Sequence, residues 1–168
     1  MATPAPAPCI DSFTGEYRFL SNFAQISQPL QLWDQLWRTS EHAYQAGKAS
    51  SPSDLRWIRD APTAREAQRR GQAIELRPDW DEIKRATMLQ VVFTKFSRPE
   101  LRNQLVATGN AKLVEGNSWG DDYWGAVPDT KTPEGQLWVC PGGTYLAGRN
   151  WLGRILMSVR ELLAPEAP

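Results

Sequence analysis

Between Ser53 and Ala107 almost the whole chain follows helical spacing, and this run does most to limit what the protein can fold into. Ser53 to Asp60 and Thr63 to Ile74 predict two helices, the second opened by Thr63-Ala64-Arg65-Glu66, a capping-box spacing in which each side chain can bond the other's backbone. Pro78-Asp79-Trp80-Asp81-Glu82 begins a long helix to about Phe96, with Arg85, Met88, Leu89, Val92, Phe93 and Phe96 on one side at three- and four-residue spacings. Pro99 to Ala107 makes a further helix, ended by Gly109.

The strands lie at the edges of this run. Tyr17 to Phe23 reads as a short strand entering a turn, Leu30 to Thr39 as a hairpin around Asp34-Gln35, and Lys112 to Glu115 as a strand. Ser40 or Thr39 is placed to cap a short helix through Lys48, in which Gly47 is a weak point that tertiary packing must offset. Near the other end Asn150 caps a helix whose Leu152, Ile155, Leu156, Val159, Leu162 and Leu163 form an apolar stripe. The expected class is α+β, a helix-rich single domain with a small antiparallel β-sheet.

At 168 residues one core is expected. Residues 1–10 read as a disordered Ala/Pro-rich tail and 11–165 as the domain. No stretch approaches the roughly 20 apolar residues of a membrane span, and the tail lacks the basic and apolar regions of a secretory signal, so a cytoplasmic protein without membrane contact is expected. Lysine plus arginine and aspartate plus glutamate balance at 19 each, so any contact with nucleic acid must be local. The two cysteines, Cys9 and Cys140, have no metal-knuckle or disulfide-framework spacing and read as free thiols.

Chemistry gathers in a few places. Glu41, Tyr44, Gln45 and Lys48 sit at i, i+3, i+4 and i+7, bringing a carboxylate, a phenol, an amide and an ammonium onto one helix face. A solvated Glu/Lys helix with Tyr44 packed inside is the plainer alternative. Asp121 and Asp122 lie among Trp119, Tyr123 and Trp124, where aromatic surroundings can keep a carboxyl group protonated, unless the tryptophans merely anchor the loop. Trp80 and Lys84 pair an indole with a cation at a helix start, and Arg149 and Asn150 repeat that theme at the last helix. His42 is the single histidine and reads as a core or orienting residue. No metal or cofactor is expected: the acids are not joined by histidines or an oxygen-ligand loop, and there is no Walker loop, Rossmann fingerprint or serine elbow.

In order along the chain, Phe19-Leu20-Ser21-Asn22-Phe23, Thr39 to Ala46, Asp79-Trp80 with Lys84 and Met88, Lys112 to Glu115, Asp122 to Gly125, and Gly148 to Met157 resemble the NADAR (NAD- and ADP-ribose-associated) family. The resemblance runs from about Phe13 to Leu163 and rests on the ordered set, since none of the motifs is specific alone. It departs from the family pattern at Asp34-Gln35, where relatives carry Asp-Gly, and over Pro128 to Tyr145, longer than the glycine-rich link of bacterial members. The latter segment is expected to be a loop bordering the substrate.

The resemblance implies an N-glycosidase, with ADP-ribosylated guanine in nucleic acid or a riboflavin-biosynthesis intermediate as substrate. It leaves open a toxin counterpart whose mark the enzyme erases. Cleaving a ribosyl–nitrogen bond develops positive charge on the sugar, so one carboxylate stabilises it while another group handles the proton. Glu41, oriented by Gln45 and Lys48, and Asp122, tuned by Trp124, are the candidates, in either assignment, with Trp124 and Gly125 expected to touch the substrate. Trp80, joined by Tyr44 or Phe19, would stack on the base. Asn22, Lys84 and Asn150 would hold ribose hydroxyls or phosphate, and Arg18, Lys48, Lys84 and Arg149 would meet a diphosphate if they converge. The rival of another class is a non-catalytic ADP-ribose or NAD-binding module.

Overall fold

The computed structural model describes residues 8–128, 136–140 and 144–165. In chain order it contains β1 (Cys9–Ile10), a 3₁₀ helix (Gly15–Leu20), β2 (Leu30–Leu32), β3 (Gln35–Trp37), α1 (Ser40–Ala46), α2 (Pro52–Arg59), α3 (Ala64–Ala73), α4 (Trp80–Phe96), α5 (Pro99–Ala107), β4 (Lys112–Leu113), β5 (Gln136–Cys140), β6 (Thr144–Gly148) and α6 (Trp151–Leu163). The class is α+β and helix-rich. The strands form three two-stranded pairs, with β1 and β4 parallel, and β2–β3 and β5–β6 antiparallel. Of the expected disordered tail, residues 1–7 lie outside the described residues, whereas Cys9–Ile10 is ordered as β1 through its pairing with β4.

By backbone contact the chain divides into two compact units, Ser21–Leu101 and Met1–Leu20 with Arg102–Pro168. In the Ser21–Leu101 unit, α1 is entirely buried and packs against α2, α3 and α4. A seven-residue helix is too short to hold by itself in water, so this packing is what maintains it. Thr39 is its N-cap and accepts a hydrogen bond from the His42 N–H, as its position in the sequence suggests.

Three expectations in this unit need correction. The hairpin turns at Trp33 and Asp34, both with positive φ, rather than at Asp34-Gln35; a two-residue turn of this hand matches the twist of the strands it joins. The capping box at α3 is half made. Thr63 accepts from the Glu66 N–H, but the Glu66 carboxylate turns to Arg69 and Arg70 at 2.7–2.9 Å, which hold it down at about 2. The buried side of α4 is Trp80, Thr87, Met88, Val91, Val92, Lys95 and Phe96, leaving Arg85, Leu89 and Phe93 exposed. A lysine on that side hid the stripe: Lys95 is 1% exposed, with Nζ donating to the Ser21 carbonyl at 2.9 Å.

In the other unit, Tyr17 to Leu20 are not a strand but part of the 3₁₀ helix, which Gly15 enters with φ of 54°. Strand β4 stops at Leu113, two residues before the expected end. The stripe of α6 buries Leu152, Ile155, Leu156 and Val159, each stabilising by roughly 1.5–3 kcal/mol, while Leu162 is exposed. Arg160 crosses from α6 to donate to the Thr108 hydroxyl and the Ala111 carbonyl.

Much of the stretch expected to be a loop, Pro128 to Tyr145, is strand. β5 pairs with β6 from Gln136↔Gly148 to Cys140↔Thr144, and positions 129–135 and 141–143 lie outside the described residues. Trp138, Cys140 and Leu146 of this hairpin pack with Val114 and Ala126. The free-thiol reading is also corrected: Cys9 and Cys140 are joined in a disulfide with Cα atoms 5.3 Å apart. The partners are 131 residues apart in sequence, so spacing could not reveal the pair. Among the described residues no helix is long and apolar enough to cross a membrane.

Candidate active site

Helix α1 carries the densest polar chemistry of the Ser21–Leu101 unit. Glu41 is only 5% exposed, and a buried carboxylate must find partners within the protein. Gln45, one turn on, donates from Nε2 to Glu41 Oε1 at 2.7 Å. Lys48 follows on the same face, with Nζ 5.5 Å from the centre of the Tyr44 ring. Burial pushes the Lys48 ammonium below the usual lysine range, and the nearby negative charge of Glu41 opposes that shift. The solvated-helix alternative is excluded, because Glu41, Tyr44 and Gln45 are all buried.

Asn22 joins this group through the backbone. Its carbonyl accepts the Glu41 N–H at 3.0 Å, and its side-chain Nδ2 faces the Met88 sulfur at 3.2 Å. Trp80, at the start of α4, packs on Tyr44 with ring centroids 5.4 Å apart. It is 6% exposed, so most of the indole is already spent on packing. Lys84 forms an ion pair with Asp81 at 2.8 Å, one turn further along α4.

Among the described residues, the buried side-chain polar atoms without a hydrogen-bond partner are Asn22 Oδ1, Ser40 Oγ and Gln45 Oε1. All three belong to α1 or to the residue bonded to it. Native proteins satisfy nearly all such atoms, and exceptions mark sites of binding, catalysis or strain. His42, on the same helix, is the reverse case. Its Nε2 lies 3.0 Å from the Ala61 carbonyl, which can only accept, so the proton sits on Nε2 and Nδ1 accepts from the Thr39 hydroxyl at 2.8 Å. Burial holds this imidazole below its ordinary value, the Ala61 bond opposing and Arg38 and Arg70 adding to the effect. Of the core or orienting role expected for His42, this geometry shows the core one, with the residue 1% exposed.

The second cluster belongs to the other unit and is built differently. Asp121 uses one carboxylate oxygen to accept the N–H groups of Tyr123 at 3.0 Å and Trp124 at 2.8 Å, closing the loop on itself. Asn117 braces it, accepting from the Asp121 N–H and donating to the Asp121 carbonyl. Asp122 is half-buried, and its carbonyl accepts the Arg149 N–H at 2.7 Å. Trp124 meets Tyr123 edge to face, and the Arg149 guanidinium lies over the Tyr123 ring.

Two residues expected to touch substrate are occupied in this scaffold. A Cβ on Gly125 would collide with the Glu115 carbonyl and fall 2.6 Å from Asn117 Nδ2, so this glycine serves a close backbone approach. Asn150 does not cap α6 with its side chain. Its φ is 48°, its Oδ1 accepts the Glu115 N–H and its Nδ2 donates to the Leu113 carbonyl, so the whole amide tethers β4 to α6. Arg18 is exposed and Phe19 half-buried in the 3₁₀ helix. Ser40, Lys95 and Asn117 were not singled out as candidates, because a serine read as a cap, a lysine inside a helix and an asparagine in a loop give no periodic signal.

A model of the NADAR domain matches residues 11–164. The N-glycosidase YbiA of Escherichia coli is 34% identical over 158 residues, covering 92% of this chain and 87% of its own length. An N-glycosidase of Nostoc punctiforme is 36% identical over 151 residues, covering 86% and 85%. A riboflavin biosynthesis protein of Vibrio vulnificus is 35% identical over 153 residues, which cover 89% of this chain and 36% of that protein. The NMR structure of E. coli YbiA superimposes with a TM-score of 0.70 at 32% identity, over 95% of this chain and 87% of that one.

Proposed function

Because this chain belongs to the NADAR domain family, we propose that it is an N-glycosidase whose substrate is ADP-ribose linked to a guanine base of nucleic acid. Its alignment with N-glycosidases along most of both chains supports the reaction class. The observation that carries the reading is the setting of Glu41: a buried carboxylate, gripped by Gln45, beside a partly desolvated Lys48 and two unpartnered acceptors, Asn22 Oδ1 and Ser40 Oγ.

In the reaction the ribose C1′–N bond breaks, its electron pair leaves with the base, and the sugar ring takes up positive charge. The Glu41 carboxylate stabilises that charge, and in a buried setting its field is worth far more than in water. Water then adds its oxygen to C1′, and the departing base gains a proton. Water gives up one proton as its oxygen bonds to C1′, which balances the proton gained by the base. Asn22 Oδ1 lacks a donor inside the protein and suits a ribose hydroxyl, which is a donor. Lys48 suits a phosphate oxygen. Asn150 and Gly125 leave the proposal, since their positions are accounted for by the scaffold. A nucleic-acid substrate suits the cytoplasmic setting expected for the protein.

A second reading has its own support. Relatives in Vibrio vulnificus and maize are named riboflavin biosynthesis proteins, which favours a phosphorylated ribosyl intermediate of that pathway as substrate. The two readings share the bond and Glu41 and differ in the leaving base and in one phosphate. Incubating the protein with guanine-ADP-ribosylated DNA and with the riboflavin-pathway intermediate, each followed by mass spectrometry, separates them. The expected result is ADP-ribose freed from DNA at the higher kcat/KM. Release from the small intermediate alone transfers the assignment to metabolism, and release from neither removes both.

A further inference from the structure

We infer that Gly71 of α3 is a positioning residue for catalysis, acting through Gln45 on Glu41; the inference rests on the reading of Glu41 given above. Gly71 is buried in the last turn of α3, a helical position where glycine is the poorest former after proline. Its place there is explained by what lies against it. A Cβ on Gly71 would fall 2.9 Å from both the Cβ and the Cδ of Gln45 and would overlap Gln45 Oε1 outright.

The Gln45 side chain is therefore held from both ends. Its Oε1 lies against the bare α-carbon of Gly71, and its Nε2 donates to Glu41 Oε1 at 2.7 Å. An amide pressed in this way cannot flip or withdraw without losing the Glu41 bond. The cost is visible in the same residue, since Gln45 Oε1 is buried without a hydrogen-bond partner. An acceptor left unsatisfied against a glycine, with the donor end fixed on a carboxylate, fits a strut rather than a substrate contact. It also separates Gln45 from Asn22, whose orphan Oδ1 suits a ligand.

A methyl group at position 71 would push the amide along the strut and move Glu41. Displacements of about 1 Å at a reacting group typically cost on the order of a hundredfold in rate. The test is a double-mutant cycle on the full chain, using whichever ribosyl substrate the parent hydrolyses, with Gln72→Ala on the exposed side of α3 as control. Gly71→Ala is expected to lower kcat by roughly ten- to a hundredfold with KM within about threefold, and to have less than about a twofold effect when Gln45→Gly has already removed the amide and the Cβ that the new methyl group would meet. Unchanged kcat in Gly71→Ala, or an equal loss in both backgrounds, overturns the inference. Should Gly71→Ala fail to fold, recovery of folding on adding Gln45→Gly supports the steric link, and no recovery overturns it. If the parent hydrolyses neither substrate, the functional reading falls, and the strut is judged on the Gln45 side-chain amide resonances in NMR. Gly71→Ala must shift them; unmoved resonances overturn it.

Discussion

The face of α1 and the loop from Asn117 to Gly125 look alike in sequence, each offering acids, amides and aromatic rings within a few residues, but the structure uses them in opposite ways. In the loop, the amide of Asn117 and the carboxylate of Asp121 are taken up by backbone groups, and the asparagine of α6, Asn150, is equally occupied. On α1, side chains bond side chains, as Gln45 does Glu41, and buried acceptors are left over. Composition does not separate a scaffold from a site. The fate of each donor and acceptor does, because satisfied polar groups hold a fold while unsatisfied buried ones mark binding, catalysis or strain.

The comparison breaks most visibly by substitution on the two sides. Glu41→Gln keeps the shape and removes the charge, and is expected to lower kcat by at least about a hundredfold, as removal of one electrostatic stabiliser does elsewhere, with the melting temperature near that of the parent. Asn117→Ala is expected to do the reverse. It leaves the Asp121 N–H and carbonyl without their partner and should cost roughly 2–3 kcal/mol in urea denaturation, with kcat per folded molecule retained. Retained activity in Glu41→Gln, or retained stability in Asn117→Ala, would erase the distinction between the two regions.

Smaller effects sharpen it. Lys48→Met is expected to raise KM by about tenfold for an ADP-ribosyl substrate and less for a substrate with a single phosphate, which steady-state kinetics on the two will read. His42 gives the smallest effect. Its folded-state value is depressed by burial, so the unfolded chain takes up the proton first. Its contribution to stability is present above the ordinary histidine value of 6.5 and is lost as pH falls through the lower folded-state value. Urea titrations between pH 7.5 and about 5 should show stability falling on acidification, less steeply in His42→Gln.

The helices were legible because periodicity and caps are local signals. Thr39, Thr63 and Gly109 mark helix ends where the structure has them, and α5 runs over the expected residues. What the sequence concealed depends on contacts between distant residues. The hairpin of β5 and β6 and the Cys9–Cys140 link need partners far along the chain. Lys95 disguises the buried side of α4 because its ammonium is taken up by a carbonyl 74 residues away. The i, i+3, i+4, i+7 pattern on α1 did indicate Glu41, Tyr44, Gln45 and Lys48 as one face, but spacing says nothing of burial. Gly71 was invisible, since a glycine in a helix shows its use only when the side chain pressing on it is seen.

The central claim is that the Glu41 cluster, and not merely an intact fold, breaks the ribosyl–nitrogen bond. Its most direct test is single-turnover release of the sugar product by the parent, Glu41→Gln and Asn117→Ala, each corrected for the fraction folded. The account predicts rapid release by the parent and by folded Asn117→Ala, and release slowed by at least about a hundredfold in Glu41→Gln. Release by Glu41→Gln at the parent's rate would contradict it.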